Sequence, residues 1–151
     1  MKPSEFKRRR RLLLLAGALA AANPALATPG QMAAAIAAFT GGAIPKLGRV
    51  VLEVAQLVDN GNTVPVTVRV ASPMSATDHV TAIAIFNERN PQADVARFTL
   101  GPRAGKADVA TRIRMATSQQ LMAVARMNDG SFWSGSADVI VTLAACIEGE
   151  G

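Results

Sequence analysis

Apolar and polar residues alternate along most of the chain after residue 49. In the segment 64–70, four valines occupy the even positions and are separated by Pro65, Thr67 and Arg69. A period of two is typical of a β-strand that buries one of its faces. Similar runs rich in β-branched residues predict seven strands, over 50–54, 64–70, 80–86, 95–100, 109–115, 121–127 and 139–143.

Turn-forming residues separate these runs. They are Asn60-Gly61-Asn62, Ser72-Pro73, Asn90-Pro91, Gly101-Pro102 and Asn128-Asp129-Gly130. Seven short antiparallel strands at this spacing predict an all-β fold, an immunoglobulin-like sandwich. Burial of the inward-facing valines and isoleucines, at about 1.5–3 kcal/mol each, is sufficient for a domain without disulfides. Pro65 favours an edge position for its strand, because proline has no N–H to donate to a second neighbour.

A short helix is predicted before the first strand. Thr28 has the N-cap position, Pro29 the first helical position, and Gln31 the position that closes a capping box. Apolar residues then follow at helical spacing, at positions 32, 36 and 39. These signals predict a helix over 29–39 that ends before Gly41-Gly42.

The first 27 residues have the pattern of an export signal. A basic run, 7–11, precedes the apolar stretch 12–22, and Ala25-Leu26-Ala27 forms a cleavage site. Arg9 and Arg10, followed by one residue and two leucines, match the twin-arginine pattern of proteins that are exported after folding. The alternative is a membrane anchor, but the apolar stretch is shorter than the roughly 20 residues that span a bilayer. We therefore predict cleavage before Thr28.

Removal of this leader changes the charge of the chain. The 151 residues include 16 Lys and Arg against 11 Asp and Glu, a net charge of +5. Six of the basic residues and one acidic residue lie in the leader, which leaves ten of each in the mature chain. A neutral domain gives no reason to expect a nucleic acid or an anionic membrane as partner. The remaining length suits one domain, divided into a helix and linker (28–45), a sandwich (46–143) and a C-terminal arm (144–151).

The inventory of reactive residues argues against an enzyme. One histidine, His79, and one cysteine, Cys146, cannot build a zinc site of the usual Cys/His kind. No Ser-His-Asp motif or phosphate loop is present either, so we expect no metal and no cofactor. His79 is interpreted as a solvated turn residue rather than a proton-transfer group. A Cys146–His79 dyad would require the C-terminus to fold back onto that turn.

The segment Asp129-Gly130-Ser131-Phe132-Trp133 combines a tight turn with two large aromatic residues. We interpret it as packing in the core or against a partner, rather than as a site where a ligand stacks.

Cys146 follows the last predicted strand and has no cysteine partner in its own chain. A thiol in an exposed terminal segment is positioned to enter the pocket of another protein, and three residues from Leu143 extend roughly 10 Å. Glu148, Glu150 and the terminal carboxylate disfavour a thiolate, so a self-activating nucleophile is not expected. The residues that form the predicted arm around the sulfur are Ala144, Ala145, Ile147, Glu148 and Gly149.

These motifs, in this order, resemble the SoxY family, the sulfur-carrier subunits of the periplasmic thiosulfate-oxidising (Sox) system. The resemblance covers about 49–149 and rests on 60–66, Ser72-Pro73-Met74, Asn90-Pro91, Thr111-Arg112-Ile113-Arg114, 129–133 and 139–143 before the cysteine.

The resemblance implies an immunoglobulin-like sandwich in the periplasm that pairs with a SoxZ-like sandwich subunit as a heterodimer. It also implies that Cys146 holds sulfur intermediates covalently. In the family, a c-type cytochrome couples thiosulfate to this cysteine, a thiohydrolase releases sulfate, and a sulfane dehydrogenase oxidises the remaining sulfur.

The arm departs from the family pattern. The best-known members end in Gly-Gly-Cys-Gly-Gly, whereas this chain has alanines before Cys146 and Ile147-Glu148 after it. Alanine narrows the backbone freedom that glycine gives, and Ile147 adds bulk beside the sulfur. Two other classes of function remain open: a structural module whose lone cysteine cross-links two chains, and an independent enzyme. The first would retain thiosulfate oxidation without the cysteine, and the second would turn over thiosulfate without partners.

Overall fold

Two β-sheets pack face to face in the computed structural model, which describes residues 28–142. The helix is α1 (Pro29–Thr40), and a single 3₁₀ turn covers Pro102–Ala104. The strands are β1 (Lys46–Leu47), β2 (Val50–Glu53), β3 (Leu57–Val58), β4 (Val64–Val70), β5 (Val80–Asn87), β6 (Asp94–Thr99), β7 (Asp108–Ile113), β8 (Gln119–Met127) and β9 (Phe132–Val141). The predicted export signal, with Arg9 and Arg10, and the predicted arm, with Cys146, lie outside the described residues.

The larger sheet has the strand order β1-β9-β8-β5-β6, and β3 also pairs with β9. The smaller sheet has the order β2-β4-β7. The inner faces meet in one apolar core, in which Val64, Val68, Ile83 and Leu121 are completely buried. The all-β sandwich predicted from the alternation is therefore confirmed, and the valines of 64–70 face inward as the period of two requires.

Six of the seven predicted strands begin and end within two residues of their predicted positions. The exception is β9, which begins at Phe132 instead of residue 139. The sequence Ser134-Gly135-Ser136 lacks the β-branched pattern, yet it continues the strand. A Cβ at Gly135 would lie 2.4 Å from the carbonyl oxygen of Val50, so glycine is required where β2 crosses β9.

The prediction of seven purely antiparallel strands is wrong in one respect. The described residues contain nine strands, and two of them, β1 and β3, pair with β9 in parallel. Each has only two residues, so neither shows a period, and each exists because β9 offers a free edge.

The edge position predicted from Pro65 is also wrong, since β4 lies between β2 and β7. The pairing of β2 with β4 ends at Glu53 and Thr67, however, so at Pro65 the strand has a partner on one side only. The missing N–H is therefore tolerated within a central strand.

Helix α1 covers part of the outer face of the larger sheet. Its predicted capping box is confirmed: the Gln31 N–H donates to Thr28 Oγ1 at 3.3 Å, and the Thr28 N–H donates to Gln31 Oε1 at 2.9 Å. Phe39 packs edge-on against Phe86 and Phe132, with ring centroids 6.0 and 5.9 Å apart. The helix thereby encloses a second, smaller apolar layer. Within residues 28–142, no helix is long and apolar enough to span a membrane.

Candidate functional site

The last residues of β9 are held on both sides. On one side, the Val141 N–H donates to Ser118 Oγ at 2.8 Å. On the other, the Ile140 N–H donates to the Gln56 carbonyl at 2.8 Å, and the Thr142 N–H donates to the Val58 carbonyl at 3.0 Å. The point from which the predicted arm continues is therefore fixed relative to the sandwich.

Two loops beneath this point are tied together by side-chain amides. Asn90 Oδ1 accepts from the Ala116 N–H at 2.9 Å and from Gln119 Nε2 at 2.8 Å, while Asn90 Nδ2 donates to the Arg114 carbonyl at 2.7 Å. Gln119 Oε1 accepts from the Arg89 N–H at 2.9 Å. We call the surface formed by 57–62, 87–90, 114–119 and 140–142 the arm platform.

The arm platform also carries charged side chains. Arg114 is exposed, and its Nη2 donates to Asn62 Oδ1 at 2.9 Å. Asn62 is held in turn, because its N–H donates to Asn60 Oδ1 at 2.9 Å. The ion pairs formed among residues 28–142 are Arg49–Asp78, Arg69–Glu53, Arg69–Asp108 and Arg97–Asp94, none of which includes a platform residue.

Cys146 itself lies outside the described residues, as do Ala144, Ala145, Ile147, Glu148 and Gly149. Their predicted roles stay predictions. Covalent geometry nevertheless limits where the thiol can go, because Cys146 is four residues beyond Thr142 and four extended residues span at most about 14 Å. Whatever reacts with this thiol must approach the arm-platform end of the sandwich.

His79 lies at the opposite end. Its Nδ1 is 2.9 Å from the Ser75 carbonyl oxygen, and its N–H donates to Asn128 Oδ1 at 2.9 Å, beside the turn that precedes β9. From Phe132 to Val141, nine residue steps of about 3.3 Å separate that turn from the arm platform by roughly 30 Å. This distance exceeds the reach of Cys146, so a Cys146–His79 dyad within one chain is excluded.

Trp133 also lies at the end opposite the arm platform. Lys46 Nζ is 5.6 Å and Arg49 Cζ is 5.5 Å from its ring centroid, which is the geometry of cation–π contacts. Its Nε1 donates to Ser131 Oγ at 3.3 Å, and its side chain packs against the main core. Phe132 packs on the helix instead. Both aromatic residues serve packing, which agrees with their interpretation from the sequence.

The fully exposed Asp129 belongs to this same turn. Its Oδ1 accepts from Ser131 Oγ at 2.6 Å and from the Ser131 N–H at 2.9 Å. These bonds, the hydroxyl one first, hold the pKa of the Asp129 carboxyl below its usual value.

Sequence reasoning singled out Cys146 and its neighbours but did not identify the arm platform. The sequence pattern marks Asn60, Asn62 and Asn90 only as turn residues, and it assigns no role to Ser118 or Gln119. A usable signal was present, since amide side chains recur in the segments that precede β4, follow β5 and open β8. Within 28–142, no group of three or more His, Cys, Asp or Glu residues is arranged to hold a metal ion.

Arg112 lies apart from the platform network. It is exposed on the outer face of the smaller sheet, beside a shallow groove whose lining also includes Pro65, Thr67 and Ala110.

Comparison with known proteins identifies the family of the chain. The sequence profile described as sulfur oxidation protein SoxY matches residues 36–146, so the last matched residue is Cys146. The structure of the sulfur carrier protein SoxY from Chlorobium limicola f thiosulfatophilum is 31% identical to the chain, with a TM-score of 0.63. The alignment covers 76% of this chain and 98% of that one. No curated protein sequence matches the chain.

Superoxide reductases share the fold. The enzyme (neelaredoxin) from Ignicoccus hospitalis is 18% identical with a TM-score of 0.55, covering 62% of this chain and 80% of that one. A putative superoxide reductase from Thermotoga maritima is 20% identical with a TM-score of 0.54, covering 68% and 89%. Identities this low indicate a shared architecture and nothing about activity.

Proposed function

Since the chain belongs to the SoxY family of sulfur oxidation proteins, we propose that it is a non-catalytic carrier of sulfur intermediates in thiosulfate oxidation. The intermediates are bound covalently to Cys146, first as a Cys-S-thiosulfonate and later as a persulfide. The observation that carries this proposal is the family match itself, which runs through the sandwich and ends on the single cysteine of the chain.

The geometry of the arm platform supports a carrier. The last described residue, Thr142, is held by β3, and Val141 is held by Ser118, so the arm starts from a rigid point. A thiol on a tether of about 14 Å extends far enough to enter the pocket of a partner while the sandwich stays outside. The domain thus positions the arm, and the partner supplies the catalytic groups.

The reaction inventory agrees with this division of labour. The only histidine lies roughly 30 Å from the arm platform, beyond the reach of the thiol. Glu148 and Glu150 disfavour ionisation of the nearby thiol, so we propose that the partner enzyme activates it. The Cys146 sulfur thus binds the sulfur intermediate and not a resident cofactor.

We propose that the carrier works in the periplasm after export by the twin-arginine route. Its partners there are a SoxZ-like sandwich subunit, with which it forms a heterodimer, and the cytochrome, thiohydrolase and sulfane dehydrogenase of the Sox system. The twin-arginine pattern of the leader and the family membership support this placement.

Replacement of the thiol tests the proposal. In cells that depend on this chain for thiosulfate oxidation, Cys146→Ser should abolish oxidation and leave the urea-unfolding midpoint of the purified protein unchanged. The matched control is His79→Gln. It replaces the histidine considered above as a partner for the thiol, at the end opposite the arm platform, and should leave oxidation intact.

Retained thiosulfate oxidation in the Cys146→Ser strain would contradict the carrier role. If that strain also lost a covalent dimer, the cysteine would be a cross-link between chains instead.

A further inference from the structure

The large apolar side chains that residues 28–142 leave exposed are concentrated along one edge of the sandwich. Leu47 lies beside Ser134 and Leu57 lies beside Ile140, because β1 and β3 pair with β9 in that register. Four of the five large exposed apolar residues flank β9 or belong to it, and between 59% and 91% of each is exposed: Ile44, Leu47, Leu57 and Ile140. We call these four residues the β9 edge surface.

This surface continues along the outer face of the larger sheet beyond the helix. Val139 of β9 points into the core, so Ile140 points outward, and Leu57 pairs with it on the same side. Helix α1 covers the start of β9, where Phe39 packs on Phe132. Ile140 lies eight residues further along the strand, beyond that contact. The end of the outer face next to the arm platform is therefore apolar and exposed.

The exposed apolar area is comparable with what a protein interface requires. Burial of a Leu or Ile side chain is worth about 1.5–3 kcal/mol at about 25 cal/mol per Å², so the four residues expose roughly 300 Å² of apolar area. A standard interface buries about 800 Å² on each partner, of which about 60% is apolar. The β9 edge surface therefore supplies more than half of the apolar area that one interface needs.

One charged side chain, Asp138, lies between the two ends of this surface. It shares the outward face of β9 with Ile140 and is exposed. Its Oδ1 accepts from Gln120 Nε2 at 3.2 Å, and no basic side chain of residues 28–142 lies within 4 Å of its carboxylate. A partner that covers the surface must therefore place a cation or another hydrogen-bond donor opposite this carboxylate.

The position of Asp138 argues against a second copy of this chain as the partner. A two-fold axis that brings Leu47 of one copy onto Leu57 of the other passes near the middle of β9, one residue from Asp138. Such an axis places the two Asp138 carboxylates close together, and like charges that face each other across an interface are unfavourable. A different chain can present Lys or Arg at this point.

We propose that the β9 edge surface binds a different folded protein chain, whose contact surface is apolar and carries a basic side chain opposite Asp138. This inference rests on the proposed function, in which that chain is the second sandwich subunit of the heterodimer. The surface ends at Leu57 and Ile140, two residues before Thr142, which β3 holds. The bound subunit therefore lies beside the segment that leads to Cys146.

Binding of the purified SoxZ-like subunit to the whole mature chain, measured by isothermal titration calorimetry under reducing conditions, tests this surface. Leu57→Ala combined with Ile140→Ala should weaken binding about tenfold or more, because a few buried apolar contacts carry most of the binding energy of an interface. The matched control is Val51→Ala. Val51 is 55% exposed, but it pairs with Arg69 on the outer face of the smaller sheet, so the affinity should not change.

The charge of Asp138 is tested separately. Asp138→Asn should lower the affinity severalfold and flatten its dependence on ionic strength, because the substitution removes the charge that faces the partner's cation. Asp138→Lys, which opposes two cations, should weaken binding further. The amide spectrum of each variant reports on its folding.

Failure of the subunit to bind the wild-type chain would overturn the proposal, and so would equal affinities of the wild type and the double variant at Leu57 and Ile140. A stable dimer of the chain alone, dissociated by the same two substitutions, would refute the assignment to a different chain. Thiosulfonate adducts on Cys146 together with an unaffected complex would refute this interface and leave the carrier function standing. A complex weakened as expected, with Cys146 unmodified during thiosulfate oxidation, would refute the carrier function instead.

Discussion

The two ends of the sandwich differ in which side chains they use and in what those side chains do. The end opposite the arm platform holds the only histidine and the only tryptophan, and Trp133 there lies near two cations, Lys46 and Arg49. All of these groups are occupied by contacts within the domain. The side-chain hydrogen bonds that hold the arm platform together come mainly from neutral amides and a serine, and the serine holds the end of β9.

If Cys146 is the attachment point, as we propose, then the chemically conspicuous residues lie at the end of the domain that does not take part in the reaction. The proposed function depends instead on topology, because β9 ends at the arm platform and the chain continues from there to Cys146. Arg49, with a left-handed φ of 57°, lies at the end opposite the arm platform, where its side chain pairs with Asp78 and lies over Trp133.

The largest stability effect should come from the hub of the arm platform. Asn90→Ala removes the acceptor of the Ala116 N–H and of Gln119 Nε2, as well as the donor to the Arg114 carbonyl. Because Ala116 and Gln119 are buried, we expect a loss of about 2–3 kcal/mol in the free energy of unfolding, measured by urea denaturation.

The control at the other end is Asn128→Ala. Asn128 bonds the His79 N–H and the Thr77 carbonyl, but both bonds are exposed and water can replace them. A loss below about 1 kcal/mol is expected. Equal losses at Asn90 and Asn128 would mean that the platform is no more rigid than the far end.

A smaller and more local effect is expected at Ser118, which accepts the Val141 N–H. Ser118→Ala should lower stability by about 1 kcal/mol and should speed amide hydrogen exchange at Val141 more than at any residue of the far end. Thr142→Val is the comparison on the other side of β9. It removes only hydroxyl contacts of 3.3 and 3.4 Å and keeps the Thr142 N–H bond, so exchange at Val141 should not change.

The smallest effect belongs to the far end and depends on pH. The Ser131 hydroxyl lowers the pKa of Asp129, so this interaction stabilises the folded state above the ordinary Asp pKa of about 3.9. That stability is lost as pH falls through the lowered folded-state pKa. Ser131→Ala should therefore be less stable than the wild type at pH 7, with the difference shrinking below about pH 4.

Urea unfolding at the two pH values measures this dependence, and an NMR titration of the Asp129 carboxyl should show its pKa rising in Ser131→Ala. Ser131→Thr, which keeps the hydroxyl, should behave like the wild type. A stability difference that did not shrink at low pH would assign the effect of Ser131 to its bond with Trp133 instead.

Local patterns were sufficient to predict much of the fold. Two of these patterns, the capping box at Thr28 and Gln31 and the alternating valines of β4, each span only a few residues. The helix and the strand could therefore be placed from the sequence. The parallel strands β1 and β3 could not, because two residues show no period and their pairing with β9 joins positions far apart in sequence. The start of β9 could not be predicted for a similar reason. Gly135 interrupts the strand pattern, and the approach of β2 that requires a glycine there exists only in the folded state.

In the candidate site, too, one part could be predicted from the sequence and another could not. Cys146 could be singled out because it is the only cysteine and lies next to the C-terminus. The platform could not be predicted, because Asn90 and Gln119 are 29 residues apart and meet only when the loops that follow β5 and β7 pack together. Pro65 shows the converse. The rule that proline favours an edge strand gave a wrong prediction, because the pairing of β2 with β4 ends at Thr67, two residues before Pro65.

The carrier role of Cys146 is tested most directly by mass spectrometry of the C-terminal peptide from protein purified from thiosulfate-grown cells. We expect the peptide that contains Cys146 to carry thiosulfonate and persulfide adducts, which a reductant removes and which are absent from Cys146→Ser. An unmodified thiol in every growth condition, including active thiosulfate oxidation, would contradict the carrier role of Cys146.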